Sequence, residues 1–199
     1  MVVFLAEKIT GYLISKDIIG EEEHDVYRYG YEILTSSILG IFLILGVAAL
    51  LSCIDIAVIF LCVFCGLRSF CGGYHASSYF KCNATFVLLF ILESFVVKYL
   101  NNFSYNKILL FIMSAISFVL ILMFAPLENK NKPLTEEKKK INKRKTIGMY
   151  IFWMVIGCIL YSSFSKYSTT IVVSIIFVAI LLVVGKIKQF FNKEEYYEK

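Results

Sequence analysis

The stretch RSFCGGYHASSYFKC, from Arg68 to Cys82, combines two adjacent glycines with a histidine and a terminal cysteine. A cysteine attacks carbonyl carbon as its thiolate, and a nearby imidazole can take the thiol proton and stabilise the resulting ion pair. Cys82 and His75 are therefore candidates for a catalytic nucleophile and its general base.

The spacing of these two residues constrains the backbone between them. On a continuous helix, residues seven apart share a face but lie about 10 Å apart along the axis, too far for a hydrogen bond of about 3 Å. Gly72 and Gly73 tolerate backbone angles that other residues avoid, so we expect a bend just before His75. Cys82 would then begin the next helix, where the helix dipole and free N–H groups favour a thiolate and hold an oxyanion.

Residue spacing alone leaves two other interpretations open. The segment could be a solvated loop with an inert cysteine, because Cys and His pairs at arbitrary spacing are common. It could also hold a metal through Cys71, His75 and Cys82, although a fourth ligand at the usual zinc spacing is missing. The CxxC pair Cys62–Cys65 lies inside an apolar run, which does not favour redox chemistry.

The elements around this stretch are those of a membrane protein. Hydrophobic residues make up 59% of the 199-residue chain and are concentrated in blocks, which predicts an all-α, polytopic membrane fold. The N-terminus lacks the features of a signal peptide. Val2–Ile19 instead has a weakly amphipathic pattern and could lie on the membrane surface. Six membrane spans are predicted: Ile33–Ser52, Ile56–Phe70, Ala84–Leu100, Ile108–Pro126, Ile147–Phe164 and Thr169–Lys186.

The chain is predicted to form one integral-membrane domain over residues 1–199. Its parts follow the chain: an amphipathic region at 1–30, four spans within 31–126 with the catalytic loop at 68–82, a basic loop at 127–146, two spans within 147–187, and a polar tail at 188–199.

The distribution of basic residues predicts the orientation. Eight of the twenty Lys and Arg residues lie in the 127–146 loop, which the positive-inside rule places in the cytoplasm. Six spans then place both termini and the 68–82 loop in the cytoplasm, and leave only Lys98, Lys107 and Lys166 outside. The net charge of +5 is thus explained by topology, and no nucleic-acid partner is indicated. Attraction of an acidic partner or anionic lipid is the functional alternative for the basic loop.

Four further residues near the Cys–His pair are weaker candidates. Arg68 could bind an acidic peptide tail, or anchor the end of a span by snorkelling. Glu32 could orient His75 or pair with Arg68, or be an interfacial charge. Ser77 and Ser78 could supply hydroxyl groups to the site, although serines in such a position are more often helix caps.

Glu93 lies in the middle of a predicted span. An acid at membrane depth is a candidate for function or for specific packing, and it needs a partner. Lys98 is five residues away and is expected to lie too near the far interface to pair with it.

The run of Arg68, Gly72-Gly73-Tyr74-His75-Ala76 and Cys82 resembles the signature of the AgrB family, the accessory gene regulator membrane peptidases of Gram-positive quorum sensing. The chain length, the leading amphipathic stretch, the YGYEIL segment at Tyr29–Leu34 and the late basic loop are also similar, so the resemblance covers essentially the whole chain.

This resemblance implies a membrane-embedded cysteine endopeptidase without a cofactor or metal. Cys82 would form an acyl-thioester with a short AgrD-like precursor peptide, and His75 would act as base and then acid. A Cys or Ser of the peptide would then close a thiolactone or lactone ring. Gly72 and Gly73 belong to the motif of the site. A homodimer in the lipid bilayer is plausible for a six-span unit. The alternatives are a peptide exporter and a non-catalytic scaffold.

Overall fold

The computed structural model describes residues 2–73, 78–102, 107–128, 134–161 and 165–197, with backbone only at 102, 107 and 192–197. Within these ranges the chain folds into seven α-helices and one short 3-10 turn at Glu21–Glu23. The helices are α1 (Val2–Ser15), α2 (His24–Leu50), α3 (Ile54–Cys71), α4 (Tyr79–Asn102), α5 (Lys107–Phe124), α6 (Glu136–Tyr161) and α7 (Ser165–Tyr197).

The all-α membrane fold is confirmed. Five helices in the described ranges, α2, α3, α4, α6 and α7, are long and apolar enough to cross a bilayer. The fourth predicted span corresponds to a shorter apolar helix, Ile108–Phe124 within α5. At 1.5 Å per residue this 17-residue helix is about 25 Å long, a little less than a hydrocarbon core of about 30 Å.

Several helices extend beyond the apolar runs that predicted them. α3 includes Asp55, and α4 begins five residues before the predicted span, because polar residues continue a helix wherever its backbone hydrogen bonds persist. α6 begins inside the predicted basic loop: the Thr135 hydroxyl accepts from the Lys138 amide at 3.4 Å, and two acidic residues occupy the first turn. Both features stabilise a helix start.

Helix α7 is central to the bundle and packs against α3, α4, α5 and α6. On α2, the residues buried against neighbouring helices are spaced by four and include small side chains: Ser36, Gly40, Ile44 and Ala48. Small residues at this spacing allow close approach of membrane helices. Four of the phenylalanine rings of α3 and α4 form a cluster in which neighbouring centroids are 4.9–5.5 Å apart: Phe60, Phe64, Phe86 and Phe90.

Polar side chains connect the helices at two depths. At the end of the bundle far from Cys82, Lys98 donates to the Leu51 carbonyl at 3.1 Å, and Lys166 pairs with Asp55. In the interior, Ser174 of α7 donates to Glu93 Oε1 at 2.6 Å. Glu93 is fully buried, and the hydroxyl of α7 satisfies one of its carboxylate oxygens. Among the described residues the other oxygen, Oε2, has no hydrogen-bond partner, and Lys98 is engaged elsewhere.

We expect Gly40→Leu to weaken the bundle through the α2–α4 contact. A Cβ at Gly40 would lie 3.0 Å from Asn83 Oδ1 and 3.3 Å from the Phe86 ring, so a leucine overpacks the interface and costs about 1–3 kcal/mol. The thermal unfolding midpoint of the purified protein in detergent measures this loss. Gly46→Leu on the same helix is the matched control, because nothing lies within 4 Å of a Cβ there. An equal midpoint for the two variants would contradict the packing argument.

Candidate active site

The paired glycines form a sharp turn at the end of α3, as the spacing argument predicts. Gly72 and Gly73 have φ angles of 72° and 136°, which side-chain-bearing residues rarely adopt. The turn is docked on the segment that follows α5: the Leu127 amide donates to the Cys71 carbonyl at 2.9 Å. A Cβ at Gly72 would lie 2.3 Å from the Leu127 carbonyl oxygen, so only glycine fits here.

Cys82 lies in the first turn of α4. The Ser78 hydroxyl accepts from the Lys81 amide at 3.3 Å, and the Ser78 carbonyl accepts from the Cys82 amide at 3.0 Å. Ser78 is therefore an N-terminal cap, which was the more ordinary of its two predicted roles. Ser78 therefore satisfies the amides of Lys81 and Cys82, and the thiol is carried by a capped helix start.

Cys82 and Arg68 line the same cavity, which has a volume of about 640 Å³. Its walls come from α2, α3, α4, α6, α7 and the segment after α5. Most of the lining is apolar, and polar groups are contributed by a few side chains, among them Ser36, Asn83, Glu128 and Asn142. A cavity of this size and character is typical of a ligand site, and Cys82, which lines it, is only partly buried.

Arg68 is positioned for more than anchoring a helix end. Its guanidinium carbon lies 5.6 Å from the centre of the Phe64 ring, and its charge is within electrostatic range of the thiols of Cys82, Cys71 and Cys65. An added Cβ at Gly73 would lie 4.0 Å from Arg68 Nη1. The cation is thus placed between the glycine turn and the cavity, where it can stabilise negative charge or bind a carboxylate.

Glu32 has partners that the sequence did not indicate. Its Oε2 accepts a hydrogen bond from the Tyr79 hydroxyl at 2.7 Å, and its Oε1 lies 3.8 Å from Arg28 Nε. Arg28 is thus a cationic neighbour of Glu32, and the suggested pairing with Arg68 stays a prediction. The other suggested role, orientation of His75, stays a prediction.

Two of the predicted site residues, His75 and Ser77, lie outside the described residues. Within the described ranges, no three His, Cys, Asp or Glu side chains are grouped in a way that could hold a metal ion. Cys71, one of the three metal ligands that the sequence suggested, is buried, and its thiol donates to the Gly72 carbonyl oxygen.

Sequence reasoning overlooked Tyr79 and Asn83, which flank Cys82 on α4. Asn83 Nδ2 donates to the Ser36 hydroxyl at 3.3 Å, and both side chains are buried. The signal that could have found them is periodicity: Tyr79 and Asn83 are four apart on one helix, and Glu32 and Ser36 are four apart on another.

Comparison with known proteins places these features in a family. The family model described as "Accessory gene regulator B" matches residues 6–182. The chain is 29% identical to the "Putative AgrB-like protein 2" of Clostridium perfringens, over 87% of this chain and 83% of that protein. It is 23% identical to the "Accessory gene regulator protein B" of Staphylococcus saprophyticus, over 98% of this chain and 100% of that protein. The Staphylococcus aureus protein of the same name is 27% identical over 70% of this chain and 72% of its own length. No solved structure matches at a significant level.

We expect Gly72→Ala to destabilise the turn and deform the cavity. Alanine would adopt a φ that costs about 1–3 kcal/mol, and its Cβ would overlap the Leu127 carbonyl. The unfolding midpoint measured by intrinsic fluorescence should fall. Gly148→Ala is the matched control, because a Cβ there meets nothing within 4 Å and alanine favours the helix. A Gly72→Ala protein as stable as the control would show that the turn tolerates a side chain.

Proposed function

The chain belongs to the AgrB family, and we propose that it is a membrane cysteine endopeptidase that matures a signalling peptide through an acyl-thioester on Cys82. It is a multi-pass membrane protein, and members of its family process AgrD precursor peptides in quorum sensing. The observation that carries the proposal is the placement of Cys82 in a helix's first turn, opening into a cavity that Arg68 also lines.

In the proposed reaction the Cys82 sulfur bonds to the carbonyl carbon of the scissile peptide, after His75 accepts the thiol proton. The carbonyl electron pair moves to oxygen and returns as the carbon–nitrogen bond breaks. His75 donates its proton to the departing amine of the C-terminal tail, which leaves the peptide as a thioester on Cys82.

The second half of the reaction closes a ring. A Cys or Ser within the bound peptide attacks the thioester carbonyl, gives its proton to His75, and releases Cys82. Exchange between two thioesters is close to energy-neutral, so this step needs positioning rather than ATP. The largely apolar cavity supports cyclisation over hydrolysis, because it limits the water that competes for the thioester.

Two features of the site support stabilisation of the charge that develops in this reaction. The positive end of the α4 dipole lies at the turn that carries Cys82, where it favours an anion. Arg68 supplies a positive charge to the same cavity. We propose that Arg68 binds an acidic group of the precursor tail or stabilises the oxyanion, since both are anionic and Arg68 lines the same cavity as the thiol.

The proposed orientation has the cavity facing the cytoplasm. Charge supports it: the basic residues concentrated near the start of α6 are at the same end as the cavity, which Asn142 of α6 lines. The opposite end carries Lys98 and Lys166. By the positive-inside rule the cavity end is cytoplasmic, where a newly made precursor peptide would reach it.

We expect cleavage of the precursor peptide to require Cys82 and His75. The short peptide encoded beside this chain would be co-expressed with wild type, Cys82→Ala or His75→Ala, and peptide masses read by mass spectrometry. Wild type should release the C-terminal tail. Either substitution should lower the rate by at least about 100-fold, the usual scale for acid–base or nucleophilic groups.

Cys158→Ala is the control for that experiment, because Cys158 is an exposed cysteine outside the cavity lining. This variant should cleave the peptide as the wild type does. Membrane levels of all variants are matched by immunoblot. A thioester mass on Cys82 would establish the intermediate. Cleavage that survives Cys82→Ala would remove Cys82 as the nucleophile, and movement of an intact peptide would favour an exporter.

We expect single cysteines at the two ends of the bundle to label from opposite sides of the membrane. Asn101→Cys and Glu137→Cys, both at exposed positions, would be placed in a variant whose six native cysteines are alanine. A membrane-impermeant maleimide applied to intact cells should label residue 101, whereas residue 137 should label only after the cells are opened. The reverse pattern would contradict the orientation.

A further inference from the structure

We infer that Tyr79 is a positioning residue, whose hydrogen bond to Glu32 holds the first turn of α4 so that Cys82 faces the cavity. The inference rests on the proposed function for its kinetic consequence, but the geometry is independent of it. The Tyr79 hydroxyl donates to Glu32 Oε2 at 2.7 Å, joining α4 to α2. The Glu32 side chain is only 12% exposed, so water competes weakly for this bond.

The first turn of a helix frays easily, because its hydrogen bonding is incomplete. Tyr79 is the first residue of α4 and Cys82 is the fourth. Residues three apart lie on neighbouring positions of one helix face. Fixing the Tyr79 side chain therefore restricts the rotation of the turn that carries the thiol.

A second α2–α4 hydrogen bond lies one turn further along both helices. Asn83 Nδ2 donates to Ser36 Oγ at 3.3 Å, four residues after Tyr79 and four after Glu32. Cys82 lies between the two bonded residues of α4. The Asn83 bond alone leaves the preceding turn free to pivot, and the Tyr79 bond removes that freedom.

Glu32 is itself held by a charged group that reaches α1. Glu32 Oε1 lies 3.8 Å from Arg28 Nε, and Arg28 Nη1 lies 3.6 Å from Glu7 Oε2. Arg28 is 41% exposed, so these long ion pairs contribute little energy in water. Their effect is directional: Arg28 occupies one carboxylate oxygen and leaves the other for Tyr79.

The test compares Tyr79→Phe, Glu32→Ala and Glu32→Gln in the purified full-length protein. Removing the hydroxyl or the carboxylate should lower kcat for peptide cleavage by about tenfold with KM changed less than about twofold, because a misdirected thiol impairs the reaction rather than peptide binding. Glu32→Gln keeps an acceptor oxygen and should stay within about threefold of wild type. Tyr12→Phe, at an exposed position of α1, is the matched control.

A second readout does not depend on peptidase activity. The rate at which Cys82 is alkylated by N-ethylmaleimide, located by mass spectrometry without peptide, should change at least about threefold in Tyr79→Phe and Glu32→Ala alike. The Tyr79→Phe/Glu32→Ala double variant should have the same alkylation rate as the single variants, because both substitutions remove the same Tyr79–Glu32 hydrogen bond. If the wild type cleaves no peptide, the proposed function fails, but the alkylation rates still test the positioning role.

The inference is overturned if Tyr79→Phe alkylates at the wild-type rate, or if the effects of the two substitutions multiply in the double variant. Amide hydrogen exchange at residues 79–82 and along the rest of α4 distinguishes a local change in the first turn from a general loss of folding. Faster exchange confined to this turn supports the inference, whereas faster exchange across all of α4 shows a general structural role and overturns it.

Discussion

The close contact between the Gly72 backbone and Leu127 is the constraint on which the site depends. α3 ends there within the protein, and a chain that leaves a helix near a bilayer must still satisfy its backbone polar groups. The Cys71 carbonyl does so by accepting from the Leu127 amide. A side chain at Gly72 would occupy the place of the Leu127 carbonyl. The glycine turn and the segment after α5 therefore form one wall of the cavity together.

The packing of α2 against α4 determines where the thiol lies in the cavity. Gly40 lets the helices approach, and the buried Ser36–Asn83 bond and the Glu32–Tyr79 bond fix their rotation. Polar pairs between membrane helices act in this way because they specify one register, which apolar packing against lipid-like side chains does less well. Deeper in the bundle, the Ser174–Glu93 bond connects α4 to the central helix α7. α4 is thereby held at both the level of the site and the level of the membrane interior.

Glu93 is an acid in the bundle interior that is bonded through one carboxylate oxygen only, within the described part of the chain. It is fully buried and bonded to a hydroxyl of α7, whereas the cations of the bundle's far end are committed to Leu51 and Asp55. The charged contacts thus lie at the end of the bundle and the hydroxyl contact lies in its interior. This distribution is expected because burying a charge away from water is costly. Arg68 lines the cavity together with Cys82, which supports the proposed role toward an anionic ligand.

The amino-acid sequence by itself determined the helical membrane fold, because long apolar runs have few alternatives in a bilayer. It also determined the break in the chain at Gly72-Gly73, since paired glycines favour such angles. It made Cys82 the candidate nucleophile, a role that stays a proposal. Only the tertiary structure decided that Arg68 and Cys82 share a cavity, that Glu32 binds Tyr79 and Arg28, and that Leu127 closes the glycine turn. The Glu32–Tyr79 and Leu127–Gly72 contacts join residues 47 and 55 positions apart, and local propensity carries no information about which helix faces meet. The start of α6 at Glu136 could have been predicted from the sequence, because Thr135 is a favourable cap and the first turn is acidic. The many basic residues that follow led to the prediction of a loop instead.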